Sequence, residues 1–318
     1  GSGAVVYEMD DLELAGNLTV AGVLDVDGTA NLDVIDVDGA ANFAADVTFA
    51  EDIITATAGT SNVRLGVNAG NSIVSGGNYN VVVGDEAGTA LTTGDKNVAI
   101  GYAALDLEDT GTDSVAIGYN ALTAQNNDAA NYNVAVGSSA GASVTTGTNN
   151  VLVGALSGDA ITTGINNIAI GRGALSAEVA GDNSVAIGRN ALLAQTNSTN
   201  ADIYNTAVGH AAGTAITTGT NNTIMGGLAG DALTDADFNV ALGYSALTSD
   251  TLGSRSVAIG HSALNNQNFT TATDAYNTAV GFTAGQSITT GIQNTLIGAD
   301  AGDALTQGAR NTALGYLS

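Results

Sequence analysis

A pentapeptide, represented by Asn133–Gly137 with the sequence Asn-Val-Ala-Val-Gly, recurs with small variations fifteen times between Asn62 and Gly315. Most copies follow one another at intervals of about 17 residues, and a short fixed period of this kind is typical of a solenoid, in which each copy forms one rung stacked on the last. A longer period of about 72 residues is superimposed, because Gly137, Gly209 and Gly281 recur at equal intervals. We therefore predict an all-β solenoid over residues 61–318, with a four-rung super-repeat.

The pentapeptide predicts a short parallel β-strand. The residue after its first position is Val, Ile or Thr in every copy, and the residue before the glycine is always a large aliphatic. These two residues share one face of a strand, and we expect that face to fill the interior of the solenoid. The middle residue, which is Ala in ten copies, would then point outward. An outward column of apolar residues predicts burial against another chain.

We expect three chains to pack these middle columns around a common axis, because small residues allow two backbones to approach closely. A dimer, or a covering segment from the same chain, is the alternative. The predicted interface residues are Ala99, Ala116, Ala135, Leu152, Ala169, Ala186, Ala207, Ile224, Ala241, Ala258, Ala279 and Leu296.

The ends of each pentapeptide carry their own residue types. The first position is Asn in twelve copies and Ser at Ser114, Ser184 and Ser256. Side chains of this kind bond to nearby backbone, so a stacked column of them predicts an asparagine ladder along one corner. The closing glycine permits a sharp turn. The fourth residue after that glycine is Gly or Leu, in a regular order.

The copies Ser-Val-Ala-Ile-Gly at 114–118, 184–188 and 256–260 resemble the repeat of YadA-type adhesin heads. The copies Asn-Thr-Ala-Val-Gly at 205–209 and 277–281 resemble it too, and the Thr-Thr-Gly spacers are similar to segments of bacteriophage tail fibres. In YadA-type adhesin heads each chain forms a left-handed parallel β-roll, and three rolls pack into a trimeric head. The resemblance implies a homotrimer that is extracellular, on a virion tail or at a cell surface. The usual repeat of the family is shorter than this one, so the second turn of each rung should be larger.

Residues 1–60 carry a different pattern, with loose hexads such as Ala15–Val20 and Ala21–Val26. They predict a β-rich shaft, or a cap for the open edge of the roll. Two Asp-Val-Asp-Gly segments in this region resemble fragments of a calcium loop, but both lack the longer run of oxygen ligands and the closing Glu. Solvent-exposed acidic residues are the simpler interpretation, with a Ca²⁺ site formed by three converging chains as the alternative. The residues concerned are Asp25, Asp27, Asp36 and Asp38.

Composition limits the chemistry that the chain can perform. The net charge of −25, with 31 acidic against 6 basic residues, argues against nucleic acid and anionic membranes as partners. The absence of Cys excludes disulfides and thiolate metal sites. The two histidines, His210 and His261, lie three rungs apart and cannot form one site within a chain. No nucleophile–base set is available around histidine, so we predict a non-enzyme without a cofactor and without a membrane-inserted segment.

Three spacers, which follow Leu122, Leu192 and Leu264, are longer than the others. They are rich in amides, and each ends with Tyr. Loops on a rigid scaffold often carry binding residues, so these spacers are candidates for contact with a cell-surface receptor or glycan. Corner loops that wrap a neighbouring chain are the alternative. The candidate residues are Gln125, Asn126, Tyr132, Gln195, Asn197, Tyr204, Gln267, Asn268 and Tyr276.

Three functional classes fit the sequence. The first is a structural or adhesive fibre of the phage tail-fibre or cell-surface adhesin type, which binds a host-surface receptor or glycan. The second is an extracellular filament whose subunits stack head to tail. The third is an ice-binding protein, which needs a regular array of Thr. We rank it last, because Thr pairs such as Thr145-Thr146 are absent from half of the rungs.

Overall fold

The computed structural model describes residues 58–318, which fall within the unit Ile53–Ser318. The predicted shaft or cap and the calcium-loop residues Asp25, Asp27, Asp36 and Asp38 lie outside the described residues.

Residues 58–318 contain short β-strands joined by turns, and no helix. The strands are β1 (Val63–Leu65), β2 (Val81–Val83), β3 (Val98–Ile100), β4 (Val115–Ile117), β5 (Val134–Val136), β6 (Val151–Val153), β7 (Ile168–Ile170), β8 (Val185–Ile187), β9 (Thr206–Val208), β10 (Thr223–Met225), β11 (Val240–Leu242), β12 (Gly253–Ser254), β13 (Val257–Ile259), β14 (Thr273–Asp274), β15 (Thr278–Val280), β16 (Thr295–Ile297) and β17 (Thr312–Leu314).

Fifteen of these strands form one parallel sheet in which each rung pairs with the next. The register is in step, so that Val98, Ala99 and Ile100 of β3 lie beside the corresponding residues of β4. This confirms the predicted β-solenoid with rungs of about 17 residues. The rest of each described rung consists mainly of turns. There β12 and β14 pair as a second, two-stranded sheet, and isolated bridges join Thr112 to Ala130 and Asp182 to Asp202.

The face of each strand that points into the roll is the opposite of the one predicted from the sequence. The middle residues, expected to face outward, are buried inside the single chain, whereas their flanking residues are mostly half-buried. The prediction of an outward middle column is therefore wrong. The residues concerned are Ala99, Ala116, Ala135, Leu152, Ala169, Ala186, Ala207, Ile224, Ala241, Ala258, Ala279 and Leu296, with exposures of 0 or 1%.

The interior of the roll is narrow, which explains this orientation. Leucines at the fourth position after the glycine, such as Leu105 and Leu175, are fully buried and occupy most of it, so the strands of those rungs contribute Ala. A larger middle residue is admitted where the turn has Gly instead of Leu. A Cβ added to Gly141 would lie 2.7 Å from Leu152 Cδ1, and one added to Gly158 would lie 2.7 Å from Leu152 Cδ2. A large side chain on the strand is thus accompanied by glycine in the turns, and a leucine in the turn by alanine on the strand, so that the interior stays filled.

The predicted asparagine ladder is confirmed, and it lies inside the roll. Asn80 Oδ1 accepts a hydrogen bond from the backbone N–H of Asn97 at 2.8 Å, and Asn80 Nδ2 donates to the carbonyl of Gly94 at 2.8 Å. The first bond joins successive rungs, and the second closes one rung across its interior. The left-handed backbone belongs to the preceding residue, Tyr79, with a φ of 61°.

The glycine that closes the pentapeptide is required by the stacking distance wherever a further rung follows. Gly260 has a φ of 133°, and a Cβ added to it would lie 2.2 Å from the carbonyl oxygen of Gly281 in the next rung. No side chain fits between two backbones at that separation.

Candidate interaction surface

The period of two along each strand continues past both ends of the strand, and it defines four outward columns. The first and third residues of the fifteen strands of the long sheet form what we call the outward face. The residue two positions before each of these strands forms the leading corner, which includes Tyr79 before β2. The residue two positions after each strand forms the trailing corner, which includes Tyr102 after β3.

The outward face is predominantly apolar along its length. Every position is Val, Ile, Leu, Met or Thr, and Met225 and Ile297 are 48% and 43% exposed. At about 4.8 Å per rung the face is about 70 Å long and roughly 10 Å wide, on the order of 700 Å². That exceeds the largest apolar patch of a typical monomer, about 300–600 Å². Within residues 58–318 no segment covers it.

The trailing corner carries two exposed stacks of rings. Tyr102 and Tyr119 stack with their centroids 5.6 Å apart. His261 lies between Tyr244 and Phe282, with centroid distances of 5.5 and 5.2 Å. All four of the Tyr and Phe rings are about half exposed.

The leading corner has a matching stack on the rungs of β11, β13 and β15. Arg255 Cζ lies 4.7 Å from the ring centroid of Phe238 and 5.9 Å from that of Tyr276. Arg255 Nε also contacts Asp274 Oδ1 at 2.9 Å, the one ion pair found between residues 58 and 318. Cation–π and aromatic contacts of this kind stabilise exposed side chains in a fixed orientation.

The two histidines lie in the trailing corner, on the rungs of β9 and β13. His261 belongs to the ring stack just described, and His210 Nε2 lies 3.2 Å from Arg189 Nη1. They do not share a site within the chain, in agreement with the sequence prediction.

A buried carboxylate on the β7 rung anchors the long spacer that follows β8. Glu178 is 0% exposed. Its Oε1 accepts from the backbone N–H groups of Gly181 at 2.8 Å and Asn197 at 3.0 Å, and its Oε2 accepts from Gln195 Nε2 at 2.8 Å. Gln195 also bonds to Ser184 Oγ, so the longer amide replaces the asparagine that this rung lacks.

A buried carboxylate bonded to the glutamine of the next rung, which we call a clamp, occurs once in each super-repeat. Gln125 Nε2 donates to Glu108 Oε2 at 3.0 Å, and Gln267 Nε2 donates to Asp250 Oδ2 at 2.5 Å. Burial raises the pKa of Glu108 and that of Asp250, although the hydrogen bonds from Gln125 and Gln267 act in the opposite direction. Neither carboxylate has a cationic partner among the described residues.

These clamps change the assignment of the spacer residues. Gln125, Gln195 and Gln267 are 0% exposed, so the prediction that they contact a receptor is wrong. A candidate residue that is half-buried, Asn197, donates its side chain to Glu178 Oε2 at 2.9 Å. The candidates left at the surface are Asn126, Asn268, Tyr132, Tyr204 and Tyr276.

Sequence reasoning missed the three carboxylates, although a signal was present. Where the fourth residue after the glycine is Gly, the seventh is apolar, as with Gly88 and Leu91. Where the fourth is Leu, the seventh is Glu, Asp or Gln, as with Leu105 and Glu108. The two positions therefore vary together: a rung has either Gly at the fourth and an apolar residue at the seventh, or Leu at the fourth and a polar residue at the seventh.

The threonines of the second turn bond within the roll. Thr145 Oγ1 lies 3.2 Å from the carbonyl oxygen of Thr162, and Thr162 Oγ1 lies 3.0 Å from that of Val179. The first hydroxyl of these pairs therefore bonds to the next rung, which weighs against a free threonine array for ice.

Residues 58–318 contain no group of three or more His, Cys, Asp or Glu arranged to hold a metal ion. In the same range no helix has the length and hydropathy needed to cross a membrane. No family model matches the chain, and neither a curated protein nor a solved structure is similar to it.

Proposed function

We propose that the chain is a non-catalytic subunit of an extracellular homotrimeric fibre, of the phage tail-fibre or cell-surface adhesin type, that binds a receptor or glycan. The observation that carries the proposal is the outward face, which no segment of residues 58–318 covers. An apolar strip of this length in water favours association, and the chain offers it as a regular, preformed surface.

Three chains fit the dimensions of the face. The leading and trailing corners of a rung lie six positions apart in the sequence, a span of at most about 20 Å. Three sides of that length, each running from corner to corner, enclose a triangular prism whose axis lies at most roughly 6 Å from each side. Val and Ile side chains fill such a space, given that sheets pack about 10 Å apart. Four faces would leave a hole at the axis. The pentapeptides that resemble YadA-type heads support the same arrangement.

The exposed tips of the long spacers are the proposed receptor sites. They recur once in four rungs, and each is fastened to the roll by a buried carboxylate. Asn126 and Asn268 are exposed beside their clamps. Rigidly held loops with exposed amides suit the hydroxyl groups of a glycan, and the repeat would present several weak sites together.

Native mass measurement tests the assembly. A single chain has a mass of 31.1 kDa, and we expect a species of three times that value, stable on dilution. Glycan-array binding then tests the loops by comparing the parent with an Asn126→Ala/Asn268→Ala variant of unchanged mass. A monomer at micromolar concentration would overturn the trimer, and open-ended growth with concentration would favour a filament.

A further inference from the structure

The two corners that flank the outward face carry exposed rings, and on the rungs of β11, β13 and β15 both corners carry a stack at the same height. We propose that, in the trimer, the leading corner of one chain packs against the trailing corner of the next at the same rung, and that the ring stacks form the seam. This inference rests on the proposed trimer and adds which residues join its subunits.

Symmetry fixes the height of the contact. A rotation about an axis parallel to the roll moves each rung to the same height in the next subunit, without any shift along the axis. When three outward faces enclose the axis, one edge of each face meets the opposite edge of its neighbour. The leading and trailing corners of a given rung therefore meet between subunits.

The rungs of β11, β13 and β15 carry the strongest correspondence. Phe238 of the leading corner shares the β11 rung with Tyr244, and Arg255 shares the β13 rung with His261. Tyr276 completes the leading stack on the β15 rung. Two continuous stacks of the same length thus stand at the same height on opposite edges, where ring–ring contacts could form along the whole seam.

A charged pair near the β8 rung is a second candidate contact across the seam. Arg189 is exposed in the trailing corner and has no ion pair within residues 58–318. On the same rung, the leading-corner residue Asn183 donates its Nδ2 to Asp202 Oδ1 at 2.5 Å, and this aspartate is exposed. Asp202 pairs with Asp182 of the preceding rung, so across the seam the guanidinium of one chain would lie about one rung from the exposed carboxylate of the next, in a protein with only 6 basic residues.

Engineered disulfides test this contact directly, because the chain contains no cysteine. The rung-matched variant is Phe238→Cys/Tyr244→Cys. Its two cysteines flank the three-residue strand β11 on opposite sides, six positions apart, which corresponds to about 20 Å for an extended segment. That is far beyond the 4.4–6.8 Å between Cα atoms that a disulfide allows, so we expect them to join only different chains. The matched control is Tyr204→Cys/Tyr244→Cys, whose sites differ in height by two rungs, or about 10 Å.

We expect mild oxidation to convert the rung-matched variant into a covalent trimer on a denaturing gel, and to leave the control at least tenfold less cross-linked. Native mass is measured for both variants before oxidation. A trimeric native mass without cross-linking would overturn the seam and leave the proposed trimer intact. A monomeric native mass would overturn both. A covalent dimer as the final product would contradict three-chain closure. Absent cross-links combined with glycan binding that Tyr244→Ala abolishes would identify the rings as a ligand platform instead.

Discussion

Ala207 and Val208 are adjacent on β9 and face opposite sides of the sheet, so the same substitution at each position should have different consequences. Ala207 is 0% exposed, and a carboxylate there would be buried without a partner. An uncompensated buried charge costs about 3–5 kcal/mol. Added volume in a packed core costs about 1–3 kcal/mol more. We therefore expect Ala207→Asp to lower the unfolding temperature strongly and to disrupt the sheet around β9.

Val208→Asp should leave the single roll folded, because its side chain is only half-buried there. In the proposed trimer, three carboxylates would face one axis. At about 8 Å and an effective dielectric constant of 20, each pair repels by about 2 kcal/mol, or about 6 kcal/mol for three pairs. The lost burial of each Val adds about 1.5–3 kcal/mol. We expect the trimer to dissociate at micromolar concentration.

The assay combines native mass with far-UV circular dichroism for both variants. Val208→Thr is the control, since Thr already occupies outward positions such as Thr206, and it should remain trimeric. If Ala207→Asp assembled and melted like the parent while Val208→Asp lost its sheet, the assignment of the two faces would be refuted.

Three further predictions concern single positions. Glu178→Ala leaves several buried N–H groups unpaired and should cost about 3 kcal/mol or more, seen as faster hydrogen exchange in the spacer that follows β8, with Glu178→Gln milder. Gly260→Ala should lower the unfolding temperature by opening the stack against Gly281, whereas a normal melting curve would contradict the contact. Burial raises the folded-state pKa of Glu108 and Asp250 above their ordinary values of 4.5 and 3.8. Their stabilisation is therefore present below those ordinary values and is lost as the pH rises through the raised ones. Thermal stability should increase as the pH falls from neutrality towards the ordinary values, less so in Glu108→Gln/Asp250→Asn.

Much of the fold could be predicted from the sequence, because the repeat fixes strand register and rung length directly. The asparagine ladder followed from one stacked polar column. The alternation of side chains does not show which face of the strand points into the roll, since both faces are apolar and a one-residue shift exchanges them. Leu152 holds the missing information, because a large middle residue occurs where both nearby turns have glycine, Gly141 and Gly158.

The site was harder to predict than the fold. The amides of the long spacers suggested a binding surface, yet Gln125 and its equivalents are buried because each replaces an asparagine missing from its own rung. Sequence spacing does not show that a glutamine reaches a serine eleven residues earlier. The matching ring stacks emerge only once the rungs are aligned in space, since Arg255 and Tyr276 are far apart in sequence but adjacent in the roll.

The clamp that joins Glu178 to Gln195 lies within one super-repeat, and the two equivalent clamps each lie within their own super-repeat. A gene that gained or lost one four-rung segment, such as the one from Gly137 to Gly209, would join equivalent rungs without breaking a ladder or a clamp. Unequal recombination between these similar segments would thus change the length of the solenoid in steps of about 19 Å, the height of four rungs. The length of the proposed fibre would then be set by copy number, independently of the residues in the proposed receptor sites.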